Sequence, residues 1–421
     1  MRTKTKIIID EWLGKSIVFL LNILARILGP ILRIDHSLKK PPSRIIVCKF
    51  LGMGSIIQST PLLQTLRNNF PSSEIIFITS NVNRKLLESV GVIDKIYDVD
   101  DSSFGSILRS SFSVLRTLWA FKADLYIDLE TYSFYSTALA TMSCARNRFG
   151  FYRVERNIRM GVYTHMMFFN ARAPISESYL QMARLAGCKT IVETLYPFII
   201  TESDRMGCRR KLVTLAGTIS ENYVIINPNA SDLRIERRWP WQNFVELIQT
   251  LRLTYPEKIF LLIGSQNEYS WVKGLHSKLD ENTKQKVYNS AGLFTLFELF
   301  ALIESCELVI SNDTGPMHIS FALGKPTISL FGPASPIQYG QNKNAFGIYK
   351  NLYCSPCVHD FISPPCKGDN QCMKKITVKE VELLCKNILS GTIHDGKILT
   401  QEMEFLKNDR QTSLGIVDRL N

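Results

Sequence analysis

The sequence predicts an α/β protein built as two Rossmann-like halves, because strand patterns and helix patterns alternate along most of its length. Three continuous apolar runs, at 44–50, 223–226 and 308–310, have the character of strands buried on both faces of a parallel sheet. Each run leads into a polar or glycine-containing turn and then into a helical pattern, which is the repeat of such folds. A length of 421 residues is sufficient for two domains of this kind.

Composition narrows the class of protein and the kind of partner. A hydrophobic content of 45% with 21% charged residues is typical of a globular protein. The net charge of +12 predicts an acidic partner, which is a nucleic acid, an anionic membrane or a phosphorylated substrate. No RNA- or DNA-binding motif is present, so we expect no nucleic-acid partner. The ten scattered cysteines and the lack of a cleavable signal favour a reducing cytoplasm.

The first 43 residues form an apolar and basic extension ahead of the first strand. Residues 12–34 have aliphatic side chains at helical spacing, interrupted by Lys15, Arg26, Gly29 and Pro30. Charges near a helix centre are costly in hydrocarbon, which argues against a clean transmembrane span. Two alternatives stay open from the residues: an amphipathic helix in the interface of an anionic leaflet, or one packed on the protein's own surface.

In the first half, the strand at 44–50 runs into Leu51-Gly52-Met53-Gly54-Ser55 before a helix begins. Two glycines at that point let the backbone approach a ligand, although a tight turn without a ligand fits equally well. A later strand, 125–128, ends at Asp128 and is followed by Glu130. These carboxylates are candidates for a general base at a strand end, or else caps of the next helix.

The most informative stretch is 307–333 in the second half, which has the pattern of one βαβ unit. Its polar turn lies at the carboxyl end of a strand, where open α/β sheets bind ligands. Thr314 and Gly315 leave backbone N–H groups at a helix N-terminus, which suits a diphosphate. Asp313 is placed to accept a hydrogen bond from a hydroxyl, and His318 follows in the first turn. The alternative is that Asp313 only caps the helix and His318 is a surface residue.

The run Asp313-Thr314-Gly315-Pro316-Met317-His318, with the later G-x-P-x-x-x-L-F-G-P, resembles the signature of glycosyltransferase family 9, the ADP-heptose:lipopolysaccharide heptosyltransferase family. The resemblance extends over about 44–389 and implies a GT-B fold, with two Rossmann-like domains facing a central cleft. It implies the following division: a helical extension at 1–43, an acceptor domain at 44–200, a nucleotide-sugar domain at 201–390 with a cysteine-rich loop at 354–372, and a polar tail at 391–421.

The resemblance also implies roles for residues in the second half. Arg237 stands at the lysine of the family's K-x-W-P loop, where a cation would neutralise the leaving diphosphate. Glu268 matches the position that accepts from the ribose hydroxyls, and Gly292 would pass close to the base or sugar. The full set implied to bind the nucleotide sugar is Asn227, Glu268, Gly292, Asp313, Thr314, Gly315, Pro316 and His318.

In the first half, the chain departs from the family at Ser55. Similar sequences have an acidic residue there, regarded as the general base that deprotonates the acceptor hydroxyl. A serine cannot take that role at neutral pH, because its hydroxyl has neither a charge nor a nearby pKa. Gly52, Gly54 and Thr60 fit the rest of the acceptor-side loop. Asp128 and Glu130 are therefore the substitute candidates for the base.

The reaction that the resemblance implies is an inverting sugar transfer that needs no metal and no cofactor. The implied donor is ADP-heptose, and the implied acceptor is a lipid-linked saccharide of the lipopolysaccharide core or a related glycan. Such an acceptor places the protein on the cytoplasmic face of the inner membrane, against an anionic surface. The alternatives are a silent nucleotide-sugar-binding scaffold and an enzyme like the UDP-sugar 2-epimerases, which share the fold class.

Four cysteines, Cys354, Cys357, Cys366 and Cys372, occupy a loop-rich stretch with His359 among them. A C-x-x-C pair with two further cysteines resembles a zinc site, and zinc would leave a zinc-dependent nucleic-acid binder as a further alternative. The second pair is spaced by five residues rather than two. We therefore favour a structural loop or free thiols, and we expect no metal.

Overall fold

A computed structural model describes residues 3–217, 222–230, 232–340, 342–358, 364, 366–393, 395–396 and 398–400. The chain forms two compact units, Met1–Phe198 and Ile199–Asn421. Both units are α/β, with one parallel sheet each and helices packed on the sheet. The predicted alternation of buried strands and helices is confirmed in both halves. The polar tail predicted at 391–421 falls mostly outside the described residues, as does His359.

The chain begins with a long, slightly irregular helical segment. Its parts are α1 (Thr3–Ile9), a π-helical turn (Asp10–Gly14) and α2 (Lys15–Leu32). The stretch Thr5–Leu32 has the length and hydropathy that a membrane-spanning helix needs. Only a narrow edge of it is buried, at Gly14, Val18 and Asn22. The segment packs with that edge on the first unit.

The first unit contains a six-stranded parallel sheet. Its strands are β1 (Arg44–Cys48), β2 (Glu74–Ser80), β3 (Lys95–Val99), β4 (Leu125–Asp128), β5 (Asn147–Tyr152) and β6 (His165–Phe168). Its helices are α3 (Met53–Asn69), α4 (Arg84–Glu88), α5 (Phe104–Phe121), α6 (Phe134–Met142) and α7 (Ile175–Leu185). The strand order is β3-β2-β1-β4-β5-β6, so β1 lies centrally and pairs with β2 and β4.

The second unit contains a seven-stranded parallel sheet. Its strands are β7 (Tyr223–Asn227), β8 (Ile259–Leu262), β9 (Val287–Asn289), β10 (Leu308–Asn312), β11 (Thr327–Phe331), β12 (Ala345–Tyr349) and β13 (Ile398–Thr400). Its helices are α8 (Glu202–Ala216), α9 (Trp241–Thr254), α10 (Tyr269–Ser277), α11 (Glu281–Lys284), α12 (Leu296–Ser305), α13 (Gly315–Ala322), α14 (Pro336–Tyr339), α15 (Gln371–Lys374) and α16 (Val378–Leu389). The strand order is β13-β12-β11-β10-β7-β8-β9.

The central strands are buried on both faces, as their apolar runs predict. Every residue of β7, β10 and β11 is buried, and so is every residue of β1 except Arg44. The elements are shorter and less regular at the edge of the first sheet. A 3-10 turn (Asn81–Asn83) precedes the short α4, and β3 begins only at Lys95.

Candidate functional site

The carboxyl ends of β7 and β10 are joined by a network of side-chain amides in the second unit. Asn227 Nδ2 donates to Ser311 Oγ at 3.0 Å and to Thr314 Oγ1 at 2.6 Å. Asn312 Nδ2 donates to the carbonyl of Asn229 at 3.0 Å. Because β7 and β10 are neighbours, these bonds fix the two turns that follow them as one rim. Asn227 is buried and shapes that rim from beneath.

Three of the predicted residues meet just beyond β10. Arg237 Nη1 lies 3.1 Å from Asp313 Oδ2, and His318 Nε2 lies 3.9 Å from Asp313 Oδ1. Asp313 Oδ2 is buried, yet no described residue satisfies it with hydrogen-bond geometry, and Arg237 Nε is in the same position. Such atoms are costly to bury without a partner. The cluster therefore retains hydrogen-bonding capacity for a polar ligand.

The alternative roles for Asp313 and His318 do not fit the structure. The residue at the N-cap of α13 is Thr314, not Asp313. His318 is only 4% exposed and packs against the rings of Phe321 and Tyr339. Burial lowers the pKa of His318 to about 4, although Asp313 opposes the shift. The imidazole is therefore neutral at physiological pH.

The helix that follows has an N-terminus without a side-chain cap. Thr314 makes no capping bond, because its hydroxyl is engaged with Asn227 and with the carbonyl of Asn312. Thr314, Gly315 and Pro316 are half-buried, whereas the residues after them are buried. An uncapped helix N-terminus presents N–H donors and a partial positive charge to an anion. With Arg237 beside it, this rim is suited to a diphosphate.

Glu268 and Gly292 lie farther along the same sheet edge. β8 is two strands from β10, which places the ends of these two strands ~10 Å apart by strand spacing. Glu268 Oε2 accepts from the Ser265 N–H at 2.7 Å, as part of a capping box. Gly292 has a φ of +75°, and a Cβ there would come within 2.2 Å of Gln266 Oε1. Glycine is therefore required at this exposed turn.

The acceptor-side residues predicted in the first unit are not all exposed at one turn, as some of them are buried. Gly52 has a φ of +85° and precedes α3, and Ser55 lies half-buried in the first turn of that helix. The Ser55 side chain hydrogen-bonds with the hydroxyl of Tyr179. Gly54 and Thr60 are buried, and Thr60 Oγ1 accepts from the Tyr196 N–H at 3.0 Å. Thr60 therefore supports a neighbouring segment rather than facing a ligand.

Asp128 does not have the environment of a general base. Its carboxylate is fully buried and accepts from Ser136 Oγ at 2.8 Å, from Arg159 Nη2 at 3.3 Å and from the Tyr163 hydroxyl. Burial raises the pKa of Asp128, and Arg159 opposes that rise. Since every donor around it belongs to the protein, the prediction that Asp128 replaces the family's base is not supported by this geometry.

Glu130 is engaged in a similar way. Its Oε1 accepts from the N–H groups of Phe50 and Leu51, both at 2.8 Å, and pairs with Lys49 Nζ at 2.8 Å. The side chain is 5% exposed. Glu130 therefore holds the turn between β1 and α3, which is the turn that presents Ser55. It positions that loop and is not itself placed as a base.

Two sets of site residues were not predicted from the sequence. Asn312 ties the β7 and β10 turns, and its position as the last residue of a buried strand, directly before Asp313, was a signal that could have identified it. Arg159 and Tyr163 complete the buried network around Asp128. They lie more than 30 residues from Asp128 along the chain, and no local pattern links them to it.

Three cysteines of the loop-rich stretch, Cys354, Cys366 and Cys372, are free thiols, and Cys357 is half-buried. Cys372 is buried against Gly332. Within the described part of the chain, no three histidine, cysteine or acidic side chains are grouped to hold a metal ion. His359, which the zinc alternative included, lies outside the described residues.

One family model and several curated relatives match this chain in sequence. Residues 111–364 match the family described as glycosyltransferase family 9 (heptosyltransferase). A curated relative, lipopolysaccharide heptosyltransferase 1 of Campylobacter coli, is 26% identical over 315 residues, covering 72% of this chain and 86% of the relative.

Solved structures show the same fold at low identity. A glycosyltransferase family 9 protein from Veillonella parvula aligns with a TM-score of 0.70 and 20% identity, over 85% of this chain and all of that one. The E. coli ADP-heptose lipopolysaccharide heptosyltransferase II aligns with a TM-score of 0.65 and 20% identity, over 83% of this chain and all of that one. These likenesses confirm the predicted GT-B fold class.

Proposed function

The chain belongs to glycosyltransferase family 9, and on that premise we propose that it transfers a heptose from ADP-heptose to a lipopolysaccharide core or a related cell-envelope glycan. The names of its relatives support this choice of donor and acceptor, since they include lipopolysaccharide heptosyltransferases and an ADP-heptose enzyme. The observation that carries the proposal is the buried Asp313 Oδ2, which accepts no hydrogen bond of good geometry from a described residue, beside the Arg237 guanidinium and an uncapped helix N-terminus.

The donor's diphosphate would bind at the N-terminus of α13. Its oxygens would accept from the backbone N–H of Gly315, because Pro316 has no N–H and Met317 donates to the carbonyl of Thr314. Arg237 would lie beside them. Asp313, already paired with Arg237, would accept from a hydroxyl of the donor rather than face the phosphates. The uncharged His318 would add no positive charge and would support Asp313 by packing.

The chemical step is a displacement at the anomeric carbon with inversion. The acceptor oxygen forms the new bond as the bond from the anomeric carbon to the diphosphate oxygen breaks, and ADP leaves with the bonding electrons. The negative charge that develops on the leaving diphosphate is stabilised by Arg237 and the helix dipole. The acceptor hydroxyl releases its proton to solvent water as the new bond forms, and Ser55 orients this hydroxyl without serving as the base.

A lipid-linked acceptor would be met at the cytoplasmic face of the inner membrane. The N-terminal helical segment, apolar and flanked by basic residues, is suited to contact with that surface. We therefore assign the protein to the membrane periphery on the cytoplasmic side.

The test is acceptor-dependent nucleotide release. Purified full-length protein is incubated with ADP-heptose, and in parallel with ADP-glucose and UDP-glucose, with and without a heptose-deficient core acceptor. The expected result is release of ADP from ADP-heptose only when the acceptor is present, with a heptosylated product of the corresponding mass. E. coli heptosyltransferase II with its own acceptor serves as the positive control. Tight ADP-heptose binding with no release on any acceptor would instead indicate a donor-binding scaffold.

A further inference from the structure

The N-terminal helical segment exposes a long apolar surface. Large side chains at helical spacing are exposed along it, among them Trp12 (78%), Leu20 (60%), Ile27 (56%) and Ile31 (70%). Together the exposed apolar residues of this segment amount to on the order of 1,000 Å², whereas the largest patch on a typical monomer is a few hundred Å². An exposed apolar surface of this size indicates a binding site for a partner.

The opposite edge of the segment is fixed to the first unit. Asp10 accepts from the N–H groups of Phe134 and Tyr135 at the start of α6, at 2.9 and 2.6 Å. Asn22 Nδ2 donates to the carbonyl of Ile158 at 2.8 Å, and Val18 is fully buried. These contacts lie along more than three helical turns, so the segment lies flat against the protein body. A helix held in this way does not cross a bilayer.

A second exposed apolar stripe lies on the same side of the first sheet. α5 exposes Phe104, Leu108, Phe112 and Trp119, the last two in edge-to-face contact at 6.4 Å. α5, α6 and α2 all pack into the core cluster on one face of the sheet. α6 is bonded to α5 by the Ser111–Tyr135 hydroxyl pair at 2.6 Å. α5 and α2 thus flank α6, and their apolar stripes lie on the outside of the same helical layer.

The charges around these stripes indicate what covers them. The first 43 residues contain eight basic and three acidic side chains. All three acids are engaged with the protein, whereas among the basic residues Lys6 pairs with Asp101. Asp10 accepts at α6, Glu11 pairs with Arg156, and Asp35 pairs with Arg146. α5 contains Arg109 and Arg116, both exposed, and has no acidic residue. A second copy of this face would bring like charges together, whereas an anionic lipid surface is complementary to it.

We propose that α2 and the outer face of α5 together form one membrane-binding surface for an anionic bilayer, and that the protein lies on the membrane by this face. The apolar stripes enter the headgroup–acyl boundary while the basic residues meet lipid phosphates. The first sheet is thereby held at a fixed angle to the bilayer, because the helical segment is bonded to the body. This surface is independent of sugar transfer, since it depends on neither the donor site nor Ser55.

Vesicle flotation of the full-length protein tests the proposal. The probes are phosphatidylethanolamine vesicles with and without 25% phosphatidylglycerol. The key variant is Leu108→Ser with Phe112→Ser, which alters α5 only, at side chains that are more than half exposed. The matched control is Leu253→Ser, an 80% exposed leucine in the second unit.

We expect the native protein and Leu253→Ser to float with the anionic vesicles and to stay mostly unbound without phosphatidylglycerol. The α5 double variant should bind about tenfold more weakly, because two large side chains no longer enter the lipid. Its circular dichroism and thermal unfolding should match those of the native protein. Native-level binding by the α5 variant would overturn the composite surface. A native dimer without vesicle binding, or a helix that resists alkaline carbonate extraction from membranes, would overturn the proposal as a whole.

Discussion

Two aspartates at the ends of central parallel strands, Asp128 in the first unit and Asp313 in the second, are similar in sequence context and opposite in structure. Asp128 is enclosed and satisfied by Ser136, Arg159 and Tyr163. Asp313 is just as buried but has an oxygen without a hydrogen bond from any described residue, beside an uncapped helix. A carboxylate that is fully satisfied contributes to the fold, whereas one that is buried and unsatisfied indicates a ligand.

The contrast is tested most strongly by replacing each aspartate with its amide. Asp128→Asn should lower the free energy of unfolding by about 3–5 kcal/mol, because it leaves Arg159 buried without its counter-charge. Turnover per folded molecule should stay within about twofold. Asp313→Asn should do the reverse, with near-native unfolding and turnover reduced by about a hundredfold. Urea unfolding and ADP release measured on the same preparations separate the two. If the two variants lose stability and turnover to the same extent, Asp128 and Asp313 do not differ in role.

Arg237 is the cation of the cluster formed with Asp313 and His318, and it is the charge expected to stabilise the leaving diphosphate. Arg237→Ala should reduce turnover by roughly 10²–10³-fold, since one preorganised charge on the leaving group is lost. Arg237→Lys should recover part of the loss, because the charge returns without the planar geometry. The control is Arg238→Ala, which removes the next charge along the chain, one that stacks on Trp271 and donates to the carbonyl of Ala230. If both alanine variants lose activity equally, the effect belongs to the loop and not to the Arg237 charge.

The buried His318 gives the cluster a pH signature. Its pKa is about 4 in the folded protein, below the 6.5 of a free histidine, so the unfolded chain takes up the proton first as pH falls. Protonation of His318 in the unfolded chain should therefore lower the free energy of unfolding by roughly 2–3 kcal/mol as the pH falls from 7 to 4.5. Urea unfolding should be measured for the native protein and for His318→Gln across this pH range. The free energy of unfolding should fall more steeply with decreasing pH for the native protein than for the variant. Parallel curves would mean that the imidazole is not buried as described.

The smallest effect is expected at Ser55 in the first unit, where the carboxylates of Asp128 and Glu130 are hydrogen-bonded within the protein. Ser55→Ala should lower turnover by only about threefold, because the hydroxyl orients the acceptor and transfers no proton. Tyr179→Phe removes the same hydrogen bond from the other side and should behave alike. The measurement is kcat and KM for the acceptor. A hundredfold fall in kcat for Ser55→Ala alone would restore a direct catalytic role to this position.

The fold was predictable because its strongest signals are local. The continuous apolar runs of β1, β7 and β10 place each strand within a residue or two, and glycine turns mark the helices that follow. The edges of the first sheet were harder, since α4 is little more than one turn and β3 is half-exposed. Pairing of β13 with β12 depends on contacts between distant parts of the chain, so no local pattern indicated it.

The site was predictable only where its residues are neighbours in the sequence. The residues from Asp313 to His318 form one turn and one helix, so their proximity is dictated by sequence order. The environment of Asp128 depends on Arg159 and Tyr163, which reach it through the fold. Sequence position at a strand end could not distinguish an enclosed carboxylate from an open one. That difference is set by which distant donors the folded chain supplies.

The most direct measurement of the central claim is hydrogen–deuterium exchange of the full-length protein with and without saturating ADP. If the Asp313 cluster binds the diphosphate, ADP should slow exchange in peptides covering Asp313 to Phe321, which include the N-terminus of α13, and leave peptides around Asp128 unchanged. Protection confined to the turn between β1 and α3, or to the β4 end, would place the nucleotide in the wrong unit. That result would contradict the assignment of the diphosphate to the Asp313 cluster.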